Sequence, residues 1–180
     1  RLYLVPFGAV QQQVLLTVPQ ELRVIIYRRL MVRIAQHIAA RVHAQALVTG
    51  EVVGQVASQT IENMRAIDEA AVMPILRPLV GFDKEEITRE AIRIGTYETS
   101  IIPDQDCCTL FTPRNPATRA SLGAVRDAEA LLDVDALIDT ALEGTVVEER
   151  RFPPRARPLD GAVGVDQNDK MRRSVAQETE

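Results

Sequence analysis

Apolar positions in the first half of the chain come in short continuous runs, separated by longer stretches with helical spacing. Leu2-Tyr3-Leu4-Val5 is one such run, closed by Pro6 and Gly8, and reads as a buried strand with its turn. A weaker helical stretch follows near residues 9–16. Pro19 and Glu21 then stand where a first helical turn favours a proline and an acid. From there to about Val42 the pattern is strongly helical. Ile26, Leu30, Ile34, Ile38 and Val42 recur every four residues as an apolar stripe, beside a basic row of Arg29, Arg33, His37 and Arg41. Residues 44–50 (AQALVTG) form a second short apolar run ending in Gly50, and residues 51 to about 67 read as helix. Residues 73–80 (MPILRPLV) are a third extended run. Asp83 with Glu86 three positions on predicts a capped helix from Lys84 to near Gly95. A loop carries residues 96–108, prolines 113 and 116 break the chain again, and a last helix is expected over 118–142, with a break at Gly123.

Strands alternating with helices of more than ten residues imply an α/β fold with crossovers and a parallel sheet. Three strands are few for a doubly wound domain. With Arg1 at the start and a strand immediately behind it, the expectation is a fragment whose N-terminal portion lies upstream. From Val146 the prolines, arginines, aspartates and glycines lose all period, so residues 146–180 are expected to be a disordered tail.

Composition narrows the class. In 180 residues, 46% are hydrophobic and 26% charged, as in an ordinary globular domain. No apolar run is long enough for a membrane span. Two adjacent cysteines and no leader-like segment fit a reducing, cytoplasmic setting. The net charge of -4 gives no overall basic field for nucleic acid, yet charge is segregated. Residues 1–50 hold six Arg and one Glu (+5), and residues 124–149 hold eight acids and one Arg (-7). The acidic helix reads as a solvated outer face. Nineteen of the 21 cations are Arg, so Lys84, the one Lys before the tail, stands out.

Four constellations bear on chemistry. The first is Thr49-Gly50-Glu51 with residues 54–60 (GQVASQT). A strand ending in glycine before a helix is where open α/β sheets bind ligands. Gln55 and Gln59, four apart, would share a helix face beside Ser58 and suit a nucleotide. The plain alternative is a polar helix face with a glycine turn. The second is the basic row, flanked by Arg28, read mainly as a solvated face with room for one ligand-facing Arg. The third is Lys84, a cation placed against the helix dipole at a helix start, where contact with phosphate or with developing charge would explain it. The fourth is Cys107-Cys108. No CxxC or neighbouring His completes a metal site. The pair is either two small buried residues or a loop thiol, whose pKa a nearby cation would have to lower against Asp104 and Asp106.

Together the strings RRLMVRIA, ALVTGEVVGQVASQTIENMRAID, ILRPLVGFDKEEI and RIGTYETSIIPDQDCCTLFTPRNPATRA, in this order, resemble the tRNA 4-thiouridine synthetase family, which is also linked to thiamine biosynthesis. The resemblance covers residues 2–120. It implies a partial Rossmann-like parallel sheet of the adenine-nucleotide α-hydrolase, or PP-loop, type. Residues 1–120 would be the C-terminal half of that ATP pyrophosphatase domain, and 121–145 an acidic helical extension. The implied reaction is ATP-dependent. ATP adenylates O4 of a tRNA uridine, pyrophosphate leaves, and a cysteine persulfide or sulfide displaces AMP to give 4-thiouridine. The resemblance implies ATP with Mg2+, tRNA, and a cysteine desulfurase as sulfur donor. By position Arg28, Gly50 and Gln59 resemble the nucleotide contacts and Lys84 the lysine needed for activation. One of Cys107 and Cys108, with the preference on Cys108, resembles the catalytic thiol. Glu51, Ser58, Arg77 and Asp83 match family motifs with roles left open. The PP-loop and THUMP segments of the family are not in this sequence and are expected upstream of Arg1, and the sequence itself holds no rhodanese domain. The alternatives are a non-catalytic remnant that docks a desulfurase, and another PP-loop tRNA thiolase. The fold should place Gly50 and the cysteine pair around one nucleotide pocket.

Overall fold

A computed structural model describes residues 1–103 and 115–150. The chain divides into a small unit, residues 1–2 and 147–180, and a large unit, residues 3–146. All buried core residues and cavities discussed below belong to the large unit. Its elements run α1 (Gly8–Thr17), α2 (Arg23–Arg41), β2 (Leu47–Val48), α3 (Ile61–Asp68), β3 (Ile75–Leu76), α4 (Lys84–Arg93), α5 (Tyr97–Ser100), α6 (Leu122–Glu129) and α7 (Val134–Glu143). Single 3-10 turns lie at Gln20–Leu22 and Ala57–Gln59. Strand β1 (Leu2–Leu4) precedes them and β4 (Val146–Glu148) follows.

The helix α2 is the hub. Its Ile25, Ile26 and Leu30 are almost fully buried against Val10 and Val14 of α1, Ile67 of α3, Val125 of α6 and Ile138 of α7. The four-residue stripe read from the sequence is therefore the core face over its first three positions. It fades at half-buried Ile38 and ends at exposed Val42, because α2 stops at Arg41.

Strands β2 and β3 pair in parallel, Leu47 opposite Ile75 and Val48 opposite Leu76, with α3 as the crossover between them. This parallel βαβ unit is the α/β architecture expected. The run at Leu2–Leu4 is a strand but not part of that sheet: the strand orders are β2–β3 and, separately, β1–β4. Leu2 and Leu4 are exposed rather than buried. Residues 146–148, assigned to the tail by composition, form β4.

Two helices differ from expectation. Residues 51–56 are not helical; a left-handed Gly54 (φ 82°) and the 3-10 turn at 57–59 delay the helix until Ile61, where the Thr60 side chain caps it by accepting from Asn63 N. Gln55 and Gln59 therefore share no helix face. The acidic segment is two helices, broken at Ala130–Asp133 rather than at Gly123, with Asp133 capping the second by accepting from Ala136 N. Asp133 competes for the backbone N–H groups of a new helix start, whereas Gly123 sits inside the first turn of α6, where its cost is small. The capping box at α4 forms as read: Glu86 N donates to Asp83 Oδ1 and Asp83 N to Glu86 Oε2, both at 2.8 Å. Gly95 ends the turn beyond α4 with φ 74°, where other residues are strained. Among the described residues no helix is long and apolar enough to cross a membrane.

Candidate functional site

The chain leaves β2 as Thr49-Gly50-Glu51, and a cavity lies on each side of this segment. One, of 260 Å3, lies among α2, β2 and α3. Met31, Val32, Leu47 and Ile67 give it apolar walls, and Arg28 and Glu51 give it charge. The other is an open groove of 780 Å3 lined by Gly50, Gly54, Gln55, Phe82, Asp83 and Lys84 among others. Thr49 and Glu51 line the first and Gly50 the second, the alternation expected of chain leaving a strand. Both cavities thus open at the carboxyl end of the parallel pair, where helices and loops of an α/β sheet meet ligands.

The groove brings together Gly50 and Lys84, from two segments the sequence singled out. Nothing lies within 4 Å of the place where a Cβ on Gly50 would stand, so its backbone is bare to the groove and any side chain would occupy ligand space. Lys84 is exposed at the first position of α4 and makes no ion pair with a described residue. The loop between them is shaped by backbone bonds: Gly54 N to Gln59 O (2.9 Å) and Val53 N to Val80 O (3.1 Å).

Arg28 lies on the other side, in a chain of charges whose middle members, Glu51 and Arg77, are the most buried. Its Nη1 donates to Ser58 Oγ at 3.0 Å and its Nη2 to Glu51 Oε1. Glu51 Oε2 accepts from Arg77 Nε at 2.5 Å and from Thr49 Oγ1 at 2.9 Å. Arg77 in turn makes a two-pronged pair with Asp68 of α3. Burial pushes the Glu51 carboxyl up, but the Arg77 and Arg28 guanidiniums and the Thr49 hydroxyl outweigh it and hold the group below its ordinary 4.5. Glu51 is therefore a carboxylate at neutral pH although 4% exposed.

The remaining predicted residues fall as follows. Gln59 lines neither cavity; its Oε1 is buried with no hydrogen-bond partner among the described residues. Cys107 and Cys108 lie outside the described residues, as does the expected neighbourhood of sulfur and Gly50. The basic row is not a solvated face throughout. Arg29 is buried, with Nε and Nη2 on the two Glu129 oxygens at 2.9 and 2.6 Å and Nη1 on Glu69 at 3.1 Å, while Arg33 reaches Glu129 at 3.0 Å. His37 and Arg41 are exposed as read. Glu129, placed by sequence on the outer face of the acidic helix, is likewise buried. Two polar residues went unremarked in the sequence. Asp68 completes the Arg77 clamp. Asn63, fully buried, donates to Ala57 O and Ala117 O at 2.7 and 2.8 Å and accepts from Ala120 N at 2.9 Å. An Asn one turn after the Thr60 cap, beside apolar Met64, was the available signal. Among the described residues no group of three or more His, Cys, Asp or Glu is arranged to hold a metal.

A parallel βαβ unit with a bare glycine, an exposed lysine and an Arg–Glu–Arg chain at its carboxyl edge defines an α/β protein with an open groove at the edge where such sheets meet ligands. The family is fixed by comparison. The model of the "Thiamine biosynthesis protein (ThiI)" family matches residues 1–134, and the chain belongs to that family. It is 51% identical over 158 residues to a probable tRNA sulfurtransferase of Thermus thermophilus, covering 88% of this chain and 39% of the relative. It is 46% identical over 162 residues to one of Nocardia farcinica, covering 87% and 40%. Among solved structures, a 4-thiouridine synthetase in complex with RNA and bound ATP matches with a TM-score of 0.77 and 44% identity, over 81% of this chain and 38% of that one. The PP-loop type of sheet that the sequence implied agrees with this neighbour. The chain spans about two fifths of the length of the curated relatives it matches.

Proposed function

We propose that this chain supplies the nucleotide-facing edge and the sulfur-handling loop of a tRNA sulfurtransferase that makes 4-thiouridine, with ATP and tRNA as substrates and a cysteine desulfurase as sulfur source. The observation that carries the proposal is the shared groove of Gly50 and Lys84 at the carboxyl end of β2 and β3, in a chain 44% identical to an ATP-bound, RNA-bound synthetase. In this reading the bare Gly50 backbone lets the nucleotide lie against the chain. Arg28, locked by Glu51, meets it from the smaller cavity, and Gln59 closes the turn behind it. The α-phosphorus of ATP bonds to O4 of the uridine as the bond to pyrophosphate breaks. Negative charge builds on the phosphoryl oxygens, and the Lys84 ammonium offsets it there. The terminal sulfur of a persulfide on Cys108 or Cys107 then forms the C–S bond at C4 as AMP departs with the former O4. A second thiol attacks the cysteine sulfur, breaking the S–S bond, freeing 4-thiouridine and leaving a disulfide that an external dithiol reduces; free sulfide would form the same C–S bond directly. Mg2+ would arrive on the phosphates of ATP. The same sulfur chemistry would serve the family's thiamine connection.

The test exchanges this chain for the matching segment of the Thermus relative and measures 4-thiouridine in tRNA by its near-ultraviolet absorbance. The chimera should thiolate. Lys84→Ala should lower the rate by about 10²–10³-fold, the usual loss when one transition-state charge partner is removed, with ATP binding retained. Thiolation that survives the Cys107→Ser/Cys108→Ser double change would overturn the thiol assignment.

A further inference from the structure

Glu51 is an unusual residue to find at the edge of a site for an anionic nucleotide, since its own charge repels phosphate. Its surroundings explain its presence. Each carboxylate oxygen is engaged: Oε1 by Arg28, Oε2 by Arg77 and Thr49. On its other side Arg77 is held by both its Nη groups on Asp68, the last residue of α3, a helix packed into the core. The Arg77 side chain is 11% exposed and the Glu51 side chain 5%, whereas that of Arg28 is 24% exposed and lines a cavity. Arg28 spends two of its five N–H groups on Ser58 and Glu51. The chain of contacts thus runs from a rigid helix to one partly open guanidinium.

We propose that Glu51 is a positioning residue: anchored by Arg77 and Asp68, it holds the Arg28 guanidinium in one orientation, with its unused N–H groups presented to the nucleotide. The inference rests on the reading of Arg28 as a nucleotide contact given above. With two cations and two carboxylates the group is neutral in sum, so the half-buried Arg28 is not left as an uncompensated charge before ligand arrives. Glu51 touches no reacting atom in this account and acts through Arg28.

Two measurements test it. In the chain itself, side-chain nitrogen NMR reads rotation of the Arg28 guanidinium, which should be slow, and fast in Glu51→Gln. In the Thermus chimera, Glu51→Gln should raise KM for ATP about tenfold, the loss of one hydrogen bond to a charged group, with kcat changed far less. Because Glu51 acts through Arg28, adding Glu51→Gln to Arg28→Ala should cause no further rise in KM. Should Glu51→Gln fail to fold, Glu51→Asp keeps the charge but loses the reach to span both arginines, and should loosen Arg28 to an intermediate degree. Unchanged Arg28 rotation in the folded variant, or KM effects that multiply in the double variant, would overturn the proposal. If rotation quickens in Glu51→Gln while Arg28→Ala leaves KM for ATP unaltered, the nucleotide reading of Arg28 falls instead, and this inference with it.

Discussion

Removing the Glu129 carboxylate should be among the most damaging single changes in the large unit, although it lies in the most acidic stretch of the chain. Glu129 grips buried Arg29 with both oxygens, at 2.9 and 2.6 Å, and takes a third bond from Arg33 at 3.0 Å. Glu129→Gln keeps the volume but removes the charge and turns an amide N–H₂ toward a guanidinium that can only donate. Arg29 would keep the Ala66 carbonyl and Glu69 at 3.1 Å, so the charge is not wholly abandoned. The cost therefore belongs at the low end of the range for breaking a buried pair, about 3 kcal/mol. For a chain of this size that lowers Tm by roughly 6–12 °C. Urea unfolding followed by far-ultraviolet circular dichroism reads it as a lower midpoint at constant slope. The double change Arg29→Met/Glu129→Leu removes both charges together, leaves Glu69 its partner Arg126, and frees Arg33, whose side chain is 31% exposed, to turn to water. It should recover stability to within about 1 kcal/mol of the parent. A loss below about 1 kcal/mol in Glu129→Gln, or a double variant as unstable as the sum of the singles, would refute the reasoning.

The other expectations concern acid and the buried amide. Burial opposes ionisation of Glu129, but Arg29 and then Arg33 outweigh it, and Glu51 is depressed in the same way. A folded value below the ordinary 4.5 means stabilisation that is full above that pH and drains as pH falls through the depressed value. Urea midpoints taken from neutral pH downward should drop in this acid window, and less steeply in Arg29→Met/Glu129→Leu; equal slopes would contradict the assignment. Asn63→Ala removes the side-chain bonds to two carbonyls and one N–H, and should cost about 3 kcal/mol at roughly 1 kcal/mol per bond. Amide exchange at Ala120 should quicken with it, and an unaltered rate there would show that the bond does not hold the segment.

What the sequence disclosed and what it hid divide along a physical line. Local signals read true. Ile26, Leu30 and Ile34 repeat with the period of a helix and face the core, and the Asp83–Glu86 pair forms its box because both partners lie within one turn. The parallel unit was legible because β2, α3 and β3 follow each other with a connection long enough for a crossover. The misreading of the basic row has its cause in partners distant in sequence. Arg29 looked like part of a solvated row because nothing near it in the chain is acidic; Glu129, a hundred positions on, is what makes its burial affordable. The helix expected from Glu51 fails for the complementary reason. Glu51 is drawn to Arg28 and Arg77, and left-handed Gly54 lets the chain turn back before α3 starts. Gly50 and Lys84 were visible as oddities of type, a bare glycine after a strand and a lysine among arginines, but the groove that joins them exists only because β2 and β3 lie side by side. Odd residues can thus be picked out from one dimension, whereas the charge chain that orients Arg28 requires the third.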